Sequence, residues 1–197
     1  MKNYITLTGC ILLLLALGSF TLPSSALAQS AAAPLQLGDI LPDVSGQTPT
    51  GRSLHLSPIV AGKTAVVVFS FSRTAGKDAR GWNDLLYKDY GSNRSVACST
   101  VILLEAIPRL LRGIIVSGIK RNMPASMQNS TIVSYQEEEL WKQRLRVTDD
   151  SHAYVLLLSS DGHIRWRTSR PFSDAEYMKL KSEIQKQLQF ADLHKGQ

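Results

Sequence analysis

Residues 62–71 read GKTAVVVFSF, and this stretch decides the fold. After the Gly-Lys pair, the run from Thr64 to Phe71 is rich in β-branched and apolar residues on both faces of an extended chain. A strand that is apolar on both faces is typical of the centre of a sheet covered on both sides. The pattern therefore predicts a central strand here.

The segments on either side of this strand carry alternating strand and helix patterns. Before it, a turn at 48–52 and the alternating residues 53–56 predict a β-hairpin. The elements predicted after it are, in order, a helix at 77–90, a strand at 96–104, a helix with Ile107, Leu110, Leu111, Ile114, Ile115, Gly118 and Ile119 at helical spacing, a strand at 130–133, a helix ending at Arg144, strands at 153–158 and 163–168, and a last helix.

Two capping boxes predict where the last two helices begin. One is Ser-Tyr-Gln-Glu at 134–137 and the other is Ser-Asp-Ala-Glu at 173–176. The resulting order is a β-α-β half followed by a β-β-α half. It predicts an α/β fold, a thioredoxin-like mixed sheet flanked by helices, with an N-terminal β-hairpin.

The N-terminal 28 residues have the pattern of a secretory signal. Lys2 supplies the positive end, residues 11–17 form an apolar core, and Ala26-Leu27-Ala28 matches a peptidase site. An uncleaved membrane anchor is the alternative, whereas the apolar run lies on the wrong side of Cys10 for lipoprotein cleavage. We therefore predict an exported protein that is periplasmic or extracellular. If the signal is not cleaved, it would tether the protein to the membrane.

The rest of the chain is long enough for one domain with its own core. We predict a linker at 29–36, a thioredoxin-like domain at 37–191 and a C-terminal tail at 192–197. The formal net charge of +6 indicates an anionic partner or membrane surface only weakly. The chain has no Lys/Arg run typical of nucleic-acid binding, so no nucleic-acid partner is predicted.

Several segments resemble known families. Residues 37–43, 50–56 and 62–69 look like the opening of exported thioredoxin-like and peroxiredoxin-like proteins. The later half, with Asp-Gly-His-Ile-Arg-Trp at 161–166, is similar to the mitochondrial ATP synthase assembly-factor family. That resemblance implies a thioredoxin-like fold and a role in assembling the membrane sector of F-type ATP synthase. That family acts on the matrix side of its membrane, so for an exported chain the resemblance implies the general role only, a thioredoxin-like scaffold used for binding.

The sequence departs from redox-active members at both parts of their site. A Cys-x-x-Cys would follow the strand at 66–71, but residues 72–80 contain no sulfur. Ser151-His152-Ala153 stands where a proline would open the facing strand. Once a signal containing Cys10 is removed, Cys98 is the single cysteine, and no disulfide can form within the chain.

The candidate partner-binding residues form two groups. Arg73, Lys77 and Arg80 are a basic cluster near the start of the first long helix, and His152 is expected close to them. Arg165 and Trp166 point to opposite faces of an outer strand, and Arg and Trp are residue types enriched in protein interfaces. The alternative is that Trp166 covers the core. These six residues are our candidate site.

No cofactor or metal is predicted. The four histidines share no ligand spacing, and copper(I) bound by Met123 and Met127 would need cysteines that are missing.

The function predicted is an exported, redox-inactive thioredoxin-like protein that binds a partner protein. That partner fits a subunit of a membrane complex, with this chain as its assembly factor or chaperone. The alternatives are a thiol-dependent oxidoreductase or peroxidase using Cys98, and a small-molecule or metal carrier. For Cys98 itself, a small buried side chain is the alternative to a reactive thiol.

Overall fold

The computed structural model describes residues 33–194, which form seven strands and six helices. In chain order they are β1 (Ser45–Gln47), β2 (Ser53–His55), α1 (Leu56–Val60), β3 (Thr64–Ser70), α2 (Arg73–Tyr90), β4 (Val96–Leu103), α3 (Arg109–Arg121), α4 (Ala125–Gln128), β5 (Thr131–Ser134), α5 (Glu138–Leu145), β6 (Tyr154–Leu158), β7 (Ile164–Thr168) and α6 (Asp174–His194).

The strands form one mixed sheet in the order β2-β1-β5-β4-β3-β6-β7. β3, β4 and β5 run parallel, while β6 and β7 on one side and β1 and β2 on the other are antiparallel to their neighbours. All seven residues of β3 are buried at the centre of this sheet. The predicted fold class, α/β with a thioredoxin-like mixed sheet and an N-terminal hairpin, is confirmed.

The apolar core has two parts, one on each face of the sheet. Ala65, Val67 and Phe69 of β3 face one part, in which Phe69 stacks on Trp141 of α5 with ring centroids 5.3 Å apart. Val66 and Val68 face the other part, which α2 and α6 cover. The alternation of side chains along β3 thus supplies both cores.

Two helix starts differ from the sequence patterns. α2 begins at Arg73 rather than at residue 77, because the Ser72 hydroxyl accepts the Ala75 N–H at 3.0 Å and caps the helix there. α5 begins at Glu138, and Glu137 adopts a left-handed φ of 60°, so the box at 134–137 does not form. At the second box the serine half forms, with the Glu176 N–H donating to the Ser173 hydroxyl at 3.2 Å, while the Glu176 carboxylate pairs with Lys179 and Arg170.

The ends of the described region extend the packed structure beyond the predicted domain. Leu35, in the predicted linker, is buried and its N–H donates to the Arg144 carbonyl at 2.8 Å. α6 continues to His194, three residues into the predicted tail. The predicted signal at 1–28 lies outside the described residues. Within 33–194, no helix is both long and apolar enough to span a bilayer.

Candidate functional site

The N-terminus of α2 follows the carboxyl end of β3, where a redox-active relative would carry its dithiol. Ser72 occupies this position as the helix cap, and its hydroxyl also donates to the Asp150 carbonyl at 2.6 Å. The loop at 149–152, which replaces the proline-containing loop, is thereby held against the start of α2. The first turn of this helix therefore presents hydroxyl and guanidinium groups and no thiol.

Asp78 fixes α2 to two loops, a role that its position in the sequence did not reveal. Its carboxylate accepts the Ala153 N–H at 3.0 Å and the Phe172 N–H at 2.7 Å. Ala153 directly precedes β6 and Phe172 lies just before α6. Charged acceptors of this kind make strong hydrogen bonds, so Asp78 positions the start of α2 against the sheet.

A cleft of about 710 Å³ opens between α2, α3 and the carboxyl ends of β3 and β4. This end of a parallel sheet is where α/β proteins place their binding sites. The floor and the α3 side of the cleft share an apolar character. Their apolar side chains include Ile102, Leu103, Leu104, Ile107, Ile114, Ile115, Ile119, Met123 and Met127.

The α2 wall of the cleft carries the predicted basic cluster. Arg73, Lys77 and Arg80 recur at helical spacing, all are exposed, and none has an ion-pair partner among residues 33–194. Of the two carboxylates that line the cleft, Glu138 is paired with Lys142 at 2.9 Å. The other belongs to exposed Asp84. The cleft therefore suits an apolar group that carries negative charge.

The other three predicted site residues lie outside this cleft lining. His152 Nε2 is 3.5 Å from an Asp149 carboxylate oxygen. On β7, the Arg165 Nε donates to the Ser159 hydroxyl at 2.9 Å, and Trp166 is half-buried against the core beneath α6. The structure thus brings Arg73, Lys77 and Arg80 together and separates Arg165 and Trp166, at the sheet edge, from them. A role for these residues in partner binding stays a prediction.

Cys98 lies in β4 opposite Val66 of β3, mostly buried against the core that α2 and α6 cover. It is absent from the cleft lining. Burial raises the pKa of its thiol to about 12, so the thiolate is scarce at neutral pH. The environment of Cys98 is that of a small core side chain.

The methionines of the cleft have structural partners. The Thr131 hydroxyl lies 3.2 Å from the Met123 sulfur, and Met127 is buried. Within the described part of the chain, no group of three His, Cys, Asp or Glu side chains is placed to hold a metal ion.

The apolar face of α3 is the feature of the site that the sequence pattern did not place. The spacing correctly predicted a helix, but all thirteen residues of α3 are described and none of them is buried. Part of its apolar surface faces the cleft and part faces solvent.

Comparison with known proteins gives a family and a fold. A model of the family described as "ATP10 protein" matches residues 29–186, which confirms the resemblance to the ATP synthase assembly-factor family. No curated protein matches the chain.

The similar solved structures are thioredoxin-like proteins. The thioredoxin domain of a thiol-disulfide oxidoreductase from Bacteroides vulgatus is 14% identical, with a TM-score of 0.56 over 76% of this chain and 99% of that one. The exposed lipoprotein thioredoxin of Streptococcus pneumoniae is 11% identical, with a TM-score of 0.56 over 74% and 99%. A peroxiredoxin-like protein from Aquifex aeolicus is 11% identical, with a TM-score of 0.51 over 77% and 90%. At these identities the likeness shows the fold alone.

Proposed function

The chain belongs to the ATP10 protein family, and on that premise we propose that it is an exported, redox-inactive thioredoxin-like protein that binds a partner protein while a membrane complex assembles. The observation that carries the proposal is the cleft at the start of α2. It keeps the place of a thioredoxin-type site but replaces the dithiol with an apolar surface and four cations that form no ion pair among the described residues, Arg73, Lys77 and Arg80 on α2 and Arg121 on α3.

Binding in this cleft follows from its lining. Apolar side chains on the floor and on α3 are removed from water when a partner segment enters, which favours association. Arg73, Lys77 and Arg80 then select a segment that carries a carboxylate near its apolar residues. A newly made subunit of a membrane complex exposes apolar segments before it meets its neighbours, so it is a suitable partner.

Redox inactivity is proposed because no thiol belongs to the cleft. A dithiol exchange needs an accessible thiolate and a second sulfur to resolve the mixed disulfide. Cys98 is the one cysteine of the described residues, and it is mostly buried outside the cleft. The ATP synthase as the particular client, and export as the location, are part of the same proposal and rest on the family and on the signal-like N-terminus.

Site-directed photo-crosslinking in cells tests the proposal. A photoreactive amino acid replaces Gly76, which lines the cleft and has open space around an added side chain. The same amino acid at Lys88, an exposed residue further along α2, is the control position. We expect a membrane-complex subunit to be captured from position 76 and not from position 88.

A charge variant makes the test specific to the cleft. Arg73→Gln/Lys77→Gln/Arg80→Gln should abolish the crosslink from position 76. Lys63→Gln/Lys88→Gln/Arg94→Gln removes three exposed cations outside the cleft and should leave that crosslink intact. Equal capture from both positions, or a crosslink that survives the cleft variant, would contradict the proposal.

A further inference from the structure

α3 is attached to the rest of the described structure along one side. The Arg112 guanidinium lies 4.4 Å from the centroid of the Tyr135 ring, and its Nε donates to the Ile107 carbonyl at 3.0 Å. At the other end, the Gln128 amide donates to the carbonyls of Lys120 and Met123 at 3.1 and 3.0 Å. These contacts fix which face of the helix points away.

The opposite side of α3 is an exposed apolar ridge, formed by Leu110, Leu111 and Ile114. At about 100° per residue, Leu110 and Ile114 lie nearly opposite Arg112 on the helix. Their exposed fractions are 93% and 70%, and that of Leu111 is 48%. A patch shared by neighbouring exposed apolar side chains, unlike one that stands alone, is typical of a surface that meets a partner or a membrane.

Cations accompany this ridge and carboxylates do not. α3 contains four Arg or Lys residues and no Asp or Glu. Arg109, Lys120 and Arg121 are exposed, and none of the three forms an ion pair with another described residue. Arg121 shares the face of Leu110 and Ile114, while Arg109 and Lys120 lie about a quarter turn to one side.

The carboxylates closest to α3 along the chain are those of Glu105 before it and of Glu137 and Glu138 after it. The Glu105 carboxylate accepts the Glu138 N–H at 2.7 Å, and the Glu138 carboxylate pairs with Lys142 at 2.9 Å. Within α3 itself the charge beside the ridge is wholly positive, because all four of its charged side chains are Arg or Lys.

We propose that α3 docks this protein on the surface of an anionic membrane. Leu110, Leu111 and Ile114 enter the boundary between headgroups and acyl chains, and Arg109, Lys120 and Arg121 bind the anionic headgroups. An apolar ridge accompanied only by cations is the pattern of a helix that lies in a bilayer interface. The charge complementarity favours lipid over a protein partner, because a continuous anionic surface meets every cation at once.

The docking needs no partner in the cleft, but the two surfaces adjoin, because exposed Arg121 also lines the cleft. Ile114 belongs both to the ridge and to the cleft lining, so docking through α3 brings the cleft beside the bilayer. A membrane subunit's segment would be captured there as it meets the surface.

Co-sedimentation with vesicles tests the docking. All variants are the full chain, purified from one host and sharing one N-terminus, so that differences between them arise at the substituted residues. The probes are vesicles of pure phosphatidylcholine and vesicles of equal parts phosphatidylcholine and phosphatidylglycerol. We expect binding to the anionic vesicles to be stronger, and to weaken as salt is raised.

Substitution of the ridge separates its role from that of other exposed apolar groups. Leu110→Ser/Ile114→Ser should weaken binding to anionic vesicles at least about tenfold, because two apolar side chains no longer leave water. Met178→Ser/Leu193→Ser removes two side chains of α6 that are 60% and 74% exposed and should change nothing. Circular dichroism melts confirm that both pairs fold.

Substitution of the cations tests the electrostatic part. Lys120→Gln/Arg121→Gln should weaken binding to anionic vesicles by about fivefold per charge. Lys63→Gln/Arg94→Gln, with the same net charge, should bind as the unaltered chain does.

Three outcomes would overturn the docking proposal. One is equal binding to neutral and anionic vesicles, and another is a ridge variant that binds as well as its α6 control. The third is a ridge variant that keeps vesicle binding and loses a crosslinked protein, which would make the ridge a protein-binding surface. The cleft variant Arg73→Gln/Lys77→Gln/Arg80→Gln should lose its crosslink and keep vesicle binding through α3, so either proposal can fail alone.

Discussion

Cys98 shows how a single residue's surroundings decide its chemistry. The sequence identifies it as the one cysteine after residue 10, and either a buried side chain or a reactive thiol was consistent with that. The structure places it mostly buried in β4, where burial raises the pKa of the thiol to about 12. No nearby cation among the described residues offsets this effect of burial on the pKa.

We predict that Cys98 is alkylated slowly in the native protein and quickly after unfolding. The rate in the native state should keep rising with pH above the ordinary thiol pKa of about 8.5, since the folded thiol ionises only near 12. Quenched reactions with a maleimide, from about pH 6 to about pH 10, measure this rate in the native and in the unfolded protein. Fast native alkylation at neutral pH would contradict the structural assignment.

The raised pKa of Cys98 also makes the stability of the fold depend on pH. The raised pKa means that the folded state favours the protonated thiol. The contribution of Cys98 to the free energy of unfolding is therefore complete below about pH 8.5 and is lost as the pH rises toward about 12.

Asp78 is a second residue whose role depends on contacts that sequence cannot show. In the sequence it is an acid in the first turns of a helix, which suits the helix dipole. In the structure its carboxylate binds the backbone N–H groups of Ala153 and Phe172, which are 75 and 94 residues away in the chain. Local patterns carry no information on partners so distant.

We predict that Asp78→Ala lowers the free energy of unfolding by about 1–3 kcal/mol, because two backbone donors lose their acceptor. Asp84→Ala is the matched control, since Asp84 is an exposed acid of the same helix. Chemical denaturation of both variants measures the difference. Equal stability of the two would show that Asp78 does not hold the loops.

Individual elements show which patterns predict structure and which do not. The continuous apolar run of β3 predicted a buried central strand correctly, because a strand covered on both faces needs apolar side chains on both. The capping box at 134–137 failed because Ser134 is the last residue of β5, and the start of α5 is capped from a distance. The Glu105 carboxylate accepts the Glu138 N–H at 2.7 Å.

The hairpin contains a close approach that requires glycine. A Cβ on Gly46 of β1 would meet the Val133 carbonyl of β5 well inside van der Waals contact. Both atoms belong to the strands, so neither can move aside without disturbing the pairing of β1 with β5.

We predict that Gly46→Ala destabilises the protein by about 1–3 kcal/mol through this overlap. Gly76→Ala is the matched control, because its Cβ meets no atom within 4 Å and alanine favours the helix. Thermal unfolding should rank Gly76→Ala at or above the unaltered chain and Gly46→Ala below it. The reverse order would contradict the packing at β1.

At the scale of the whole molecule, the order of elements and the family could be predicted from sequence, and most of the site could not. The residues that follow the central strand indicated where a site would be and that it lacked sulfur. The cleft itself is assembled from α2, α3 and two strand ends that are distant in the chain. Its volume and lining therefore arise only from the tertiary structure.

The α3 helix shows most clearly that a sequence pattern does not reveal the surroundings of an element. The spacing from Ile107 to Ile119 predicts an amphipathic helix, but it does not say whether the apolar face meets the core, a partner or solvent. In the structure that face is divided between the cleft and an exposed ridge. The two surfaces that we propose for binding therefore adjoin at one helix.

The central claim is that this protein acts by binding in the cleft without thiol chemistry, and complementation tests it most directly. In cells that lack the protein, the amount of assembled membrane complex is measured on native gels after one of two variants is supplied. Cys98→Ala should restore assembly fully, and Arg73→Gln/Lys77→Gln/Arg80→Gln should not, provided that both variants accumulate to the same level. Restoration by the cleft variant together with failure of Cys98→Ala would contradict the account.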